Sequence, residues 1–145
     1  MITRNCAGGV VFNEESVFIL QNDKNEWVLP KGKIVKNNLS ANTAIDRVEY
    51  EAGVRAEIVS NAGETAYEFY SVTRNTPVCN KITWYIMEAH DQTYNINKEE
   101  GFLSGGYYKV EDAIDKITYS QDKSLVSLAY KRYLEFKEYK TNKGD

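Results

Sequence analysis

Between Trp27 and Val54 the sequence reads WVLPKGKIVKNNLSANTAIDRVEYEAGV, and the order of elements in that stretch limits what the chain can fold into. Trp27-Val28-Leu29 is apolar and extended, and it stops at Pro30, which biases Leu29 away from helix. Lys31 to Asn38 shows no period and reads as a loop. Ala41, Ala44, Ile45, Val48 and Ala52 then recur as one face of a helix. Gly53 fits as its C-terminal stop. A strand, a glycine-bearing loop and an amphipathic helix follow one another without a linker.

The flanking sequence supplies strands before and after this unit, and helices at the end. Cys6 to Phe12 and Val17 to Leu20 read as paired strands around a turn at Asn13-Glu14-Glu15. Arg55 to Ser60 resumes as a strand. Thr65 to Thr73 and Val78 to Ala89 read as two longer strands, turned at Asn75-Thr76-Pro77. In the second, Ile82, Trp84 and Ile86 alternate with Thr83, Tyr85 and Met87, so its two faces differ in use. Tyr107 to Val110 reads as a short strand and Glu111 to Ile117 as a short helix. Leu125, Leu128, Ala129, Tyr133 and Phe136 place an amphipathic helix over about 122–140, with a frayed end from Thr141 to Asp145. A mixed sheet with helices on both faces satisfies this order. No repeat or linker divides residues 1–145, so one domain is expected.

Composition narrows the function. Net charge is −3, with 42% apolar and 27% charged residues, so no global pull toward DNA or membrane is implied. No apolar run is long enough to cross a bilayer, and no signal peptide is visible. The two cysteines, Cys6 and Cys79, argue against a disulfide framework and fit a cytoplasmic location. The single histidine, His90, rules out a multi-histidine metal site and reads as a surface residue.

The 27–54 segment resembles the Nudix hydrolases. Their signature is Gly, five residues, Glu, seven residues, then Arg-Glu-apolar-any-Glu-Glu-any-Gly-apolar. Gly32, Val48, Glu51, Gly53 and Val54 fall in register with it. Trp-x-Leu-Pro-Lys-Gly looks like members that cleave dinucleoside polyphosphates. Ala7-Gly8-Gly9-Val10-Val11 looks like the family's first strand, Lys81-Ile82-Thr83-Trp84-Tyr85 like its central strand, and Val110-Glu111-Asp112-Ala113 like its turn into the C-terminal region. The resemblance spans nearly the whole chain. It implies an α/β (α+β) Nudix fold, a mixed β-sheet sandwiched between helices. It also implies a pyrophosphohydrolase that uses magnesium or manganese and takes a phosphate-bearing small molecule, a nucleotide by preference.

The signature is eroded where the metal would bind. Asn38 stands for the loop Glu, Asp46 for the Arg, and Arg47 and Tyr50 for two helix glutamates; only Glu51 remains. Positions 47, 50 and 51 are related by i, i+3 and i+4 and share a helix face. Three carboxylates there would suit magnesium, which prefers oxygen ligands. Here Arg47 can pair with Glu51 instead, a fixed cation suited to a phosphate oxygen. Asp46 either bonds to Asn38 or is simply solvated, and solvation is favoured.

The candidate site follows from the resemblance. Glu51 is the expected metal ligand and catalytic acid, and Glu100 of the Glu99-Glu100 pair is a candidate base. Lys31, Gly32, Lys33, Arg47 and Tyr85 are candidates for substrate binding. Lys31 and Lys33 read equally well as solvated loop lysines. Glu49 and Glu57 are stray acids; Glu49 lies two positions from Glu51, on another helix face. Tyr67, Phe69, Tyr70, Trp84, Tyr85, Tyr107 and Tyr108 fall on expected strands, where one or two can stack on a base and the others pack the core. Three functions stay open: a hydrolase with a weakened site centred on Glu51, a binding module without turnover, and a protein-interaction domain.

Overall fold

The computed structural model describes residues 1–142; part of the expected frayed end, residues 143–145, lies outside them. Seven strands form one mixed sheet. They are β1 (Ile2–Asn13), β2 (Ser16–Gln21), β3 (Trp27–Val28), β4 (Lys31–Lys33), β5 (Glu57–Ser71), β6 (Thr76–Glu88) and β7 (Ser104–Lys109). The helices are α1 (Ser40–Ala52), α2 (Val110–Lys116) and α3 (Ser120–Asn142), and a single 3-10 turn covers Lys98–Glu100. The sheet runs β3-β2-β1-β6-β5, with β4 also pairing β1 and β7 pairing β2. β1 and β6 are parallel; the other pairs are antiparallel.

Alternation along the strands builds two cores. Val10, Phe12, Ile19, Ile82, Trp84 and Ile86 point to the face covered by α2 and α3. Ala7, Val11, Phe18, Leu20 and Met87 point to the face covered by α1. This is the sandwich that the sequence implies. Ala44, Val48 and Ala52 of α1 are buried, and Gly53 ends the helix at φ 67°, a left-handed conformation that a side chain would strain. Ile45, expected on the buried face, is 36% exposed, and Thr43 takes its place inside.

Two expectations change. Lys31 to Lys33 is not loop but strand, because Cys6, Ala7 and Gly8 of β1 supply its ladder partners. Arg55 to Ser60 and Thr65 to Thr73 are not separate strands. They are one strand, β5, whose register slips against β6 near Ser60 and Gly63. Such slips twist and bend a strand without ending it. Elsewhere the ends shift slightly: Val110 opens α2, and α3 extends over Thr141 and Asn142. Among the described residues, no helix is long and apolar enough to cross a membrane.

Candidate functional site

The site is built where α1 crosses the edge strand β4. Helical spacing places Arg47, Tyr50 and Glu51 on one face of α1. Glu51 is only 6% exposed. Its Oε1 accepts the Lys31 backbone N–H at 3.1 Å and its Oε2 accepts Arg47 Nη2 at 2.8 Å. Burial pushes the Glu51 carboxyl above the usual carboxylate range, and the Arg47 guanidinium and the Lys31 N–H hold it back.

Arg47 occupies the space that Gly32 leaves empty. A Cβ at Gly32 would lie 2.1 Å from Arg47 Nε, so the guanidinium lies directly against the β4 backbone. Its other side stacks on the Tyr50 ring, 4.8 Å from the centroid. The Tyr50 hydroxyl donates to Glu100, which brings the 98–100 turn to the α1 face. Asn97 ties the same turn down: its side chain donates to the Tyr50 carbonyl at 3.1 Å, and its backbone N–H donates to the Glu51 carbonyl at 3.0 Å.

This donor set does not fit a resident divalent metal. Magnesium needs oxygen ligands and several retained waters. Both Glu51 oxygens already accept hydrogen bonds, and a guanidinium stands beside them. Among the described residues, no three His, Cys, Asp or Glu side chains come together to hold a metal ion. The stray acids lie elsewhere: Glu49 is 3.4 Å from Arg55 and Glu57 is 3.5 Å from His90, on exposed side chains.

Around Cys6 the site is cationic. Lys31, Arg4, Lys33 and Arg47 all lie close enough to lower the Cys6 thiol pKa, although burial, the larger effect, leaves it raised. Among the described residues, Arg4, Lys31 and Lys33 form no ion pair. Glu26, Glu51 and Asp122 lie within electrostatic reach of Lys31 and offset part of this charge; the remaining cations suit an anionic ligand.

The NUDIX domain profile matches residues 2–128. The chain belongs to the Nudix family. Solved structures agree on the fold of this Nudix domain. An Ap4A hydrolase binary complex from C. elegans superposes with a TM-score of 0.70 at 16% identity, covering 91% of this chain and 98% of that one. The NUDIX domain of Shewanella oneidensis NrtR, complexed with ADP ribose, gives 0.73 at 13% identity over 92% and 90%. The E. coli dihydroneopterin triphosphate pyrophosphohydrolase gives 0.69 at 12% over 87% and 95%.

Within the Nudix domain, the structure brings Gly32, Arg47 and Glu51 together, and Glu100 through Tyr50; Lys31 joins them by its backbone N–H, while its side chain and that of Lys33 lie on the other face of the edge strand with Gly8 and Cys6. Tyr85 does not join them. It packs with the α1-side core, and its hydroxyl lies 2.5 Å from Ser40 Oγ at the start of α1, about 16 Å along the helix from Glu51. Asp46 is exposed, in line with solvation. Trp84 is buried, and its Nε1–H donates to Thr65 Oγ1 at 2.8 Å; Tyr107 and Tyr108 pack against the two cores. Tyr67, Phe69 and Tyr70 remain exposed.

Arg4 and Asn80 carry no signal in the sequence alone. Arg4 and Asn80 are register partners on β1 and β6, and Tyr67 on β5 is the next partner of Asn80. Polar residues opposite one another in three neighbouring strands are a usable signal only once the register is known.

Proposed function

We propose that this Nudix domain binds a phosphate-bearing, nucleotide-type ligand through fixed side-chain cations, and turns it over slowly or not at all. The observation that carries this reading is the Arg47–Glu51 pair lying against Gly32. A guanidinium there supplies positive charge for a phosphate oxygen. It cannot lower the pKa of a water by coordination, as a metal does. Lys31 and Lys33 add cations on the other face of the same edge strand. Two structural neighbours have nucleotide-type ligands in their names, Ap4A and ADP ribose, which supports the ligand class. Two free cysteines fit a reducing, cytoplasmic setting.

The second reading is a hydrolase with a reduced site at Glu51. It draws on Glu100, which the Tyr50 hydrogen bond holds near the same helix face. A thermal-stability screen of nucleoside di- and triphosphates, dinucleoside polyphosphates and ADP ribose, in EDTA and in magnesium, separates the two. The binding reading expects stabilisation in EDTA and no product from the hits. It also expects Lys31→Ala and Lys33→Ala each to weaken the best hit, by up to roughly 1.5–3 kcal/mol for a well-placed charge-assisted contact. Rapid magnesium-dependent cleavage of a hit would support the hydrolase instead. If both lysine variants bind the hit as tightly as the parent, the phosphate does not sit on β4.

A further inference from the structure

Residues paired across a sheet point to the same face. Arg4, Asn80 and Tyr67 therefore stand side by side on the face that α3 covers further along. Asn80 is 8% exposed; its Nδ2 donates to the Tyr67 hydroxyl at 2.8 Å, while its Oδ1 is buried without a partner. Arg4 Nε is likewise buried with no acceptor, and the guanidinium lies 5.7 Å over the Phe69 ring. Native folds rarely leave such groups unpaired, because a buried unsatisfied polar atom costs about 1–3 kcal/mol. Two of them on adjacent strands point to a ligand that satisfies both.

The surroundings suit a planar polar ligand. The Tyr67 ring is 43% exposed and stacks with Phe69 at 6.1 Å. A groove of about 480 Å³ opens further along β5, between residues 62–65 and the start of α3; Thr65 on its wall lies two residues from Tyr67 on the same face of the strand. Asp122, near the groove, lies within electrostatic reach of Lys31. Lys31 thus links this face to the cationic edge at Gly32, so a base here and a phosphate there can belong to one molecule.

We propose that Arg4 and Asn80 read a 6-oxopurine base, of the guanine type, on a nucleotide whose phosphates lie along Lys31 and Lys33 of the edge strand, on the same face. This rests on the phosphate-binding reading above. An arginine fork matches two adjacent acceptors, the O6 and N7 pair of guanine. Adenine offers N7 beside an amino donor, which would face the guanidinium with like polarity. The free Asn80 Oδ1 accepts from a ring N–H, which a 6-oxopurine carries and adenine lacks. The Tyr67 face supplies stacking.

Calorimetry in EDTA with GDP, IDP, ADP and inorganic tripolyphosphate tests this, using the whole chain and melting curves to confirm folding. GDP and IDP are expected to bind about tenfold more tightly than ADP, within what a bidentate arginine contact discriminates. Arg4→Met is expected to erase that difference, read as the ratio of GDP to ADP affinity, because losing a cation of the same cluster weakens tripolyphosphate as well. Arg4→Lys, which keeps the charge but loses the fork, should erase it too. GDP should also slow labelling of Cys6, which lies on the same face as Arg4 two residues on. Equal GDP and ADP affinity with intact tripolyphosphate binding would overturn the base assignment and leave the phosphate reading standing. A purine preference that survives both Arg4 variants would overturn it as well. If neither tripolyphosphate nor any nucleotide binds, the phosphate reading fails, and the base assignment falls with it.

Discussion

Arg47 Nη2 lies 2.8 Å from Glu51 Oε2, one turn along α1, and the same guanidinium fills the space above Gly32. The pair is unequally buried, with side-chain exposures of 30% for Arg47 and 8% for Glu51. Removing the arginine strands a buried carboxylate.

Arg47→Met should therefore destabilise the fold by roughly 2 kcal/mol, less than the 3–5 found when a fully buried pair is broken. The Glu51 carboxyl is already raised in the folded state, so the native protein holds this proton longer than the unfolded chain. Its contribution to stability accordingly falls as pH rises from the unfolded pKa through the folded one. Losing Arg47 moves the folded value higher and stretches that decline upward in pH. Urea melts across pH, with NMR titration of the Glu51 carboxyl, check this. An unmoved titration would mean that Arg47 does not hold the charge on Glu51.

Gly32→Ala probes the other contact. The backbone can accept a side chain there, but the new Cβ would meet Arg47 at its Nε, Cδ and Cγ. The arginine must leave or the strand must shift, costing about 1–3 kcal/mol as overpacking. In an Arg47→Ala background the same substitution should cost little. A double-mutant cycle on melting free energies measures the coupling. Additive losses would show that Gly32 serves the strand and not the arginine.

The sequence made the Glu51 region legible because helical spacing is local. Arg47, Tyr50 and Glu51 share a face at any register, and the predicted Arg47–Glu51 pair is present. The sandwich was legible because Val10, Ile82 and Trp84 alternate with residues that serve the other face. Lys31 to Lys33 carries no period of its own; what makes these residues a strand is β1, distant in sequence. Tyr85 is a candidate by its ring and by the resemblance; where its hydroxyl goes, to Ser40 at the start of α1, depends on a contact between residues distant in sequence. Arg4 and Asn80 gave no signal, since only the parallel β1–β6 register makes them neighbours.

Restoring carboxylates tests what erosion removed. Arg47→Glu with Tyr50→Glu would place three acids on one face of α1 and free Gly32 from the guanidinium. This pair should create divalent-metal binding and lower apo stability through like-charge repulsion. Asn38→Glu with Asp46→Arg should do little alone, because it adds no metal ligand. The four together should give the highest magnesium-dependent hydrolysis of a dinucleoside polyphosphate, and only the combined variant is a fair test of a coupled network. Product formation is followed by chromatography. A folded quadruple variant that binds metal but cleaves nothing would count against a hidden hydrolase.

Calorimetric titration of a stabilising nucleotide in EDTA and again in excess magnesium distinguishes fixed cations from a metal at the Glu51 face. With fixed cations the affinities in the two buffers are closely similar, and magnesium binds the free protein more weakly than about millimolar because Glu51 alone leaves the ion mostly hydrated. Nucleotide binding that disappears in EDTA, or tight magnesium binding to the free protein, would contradict fixed cations at that face.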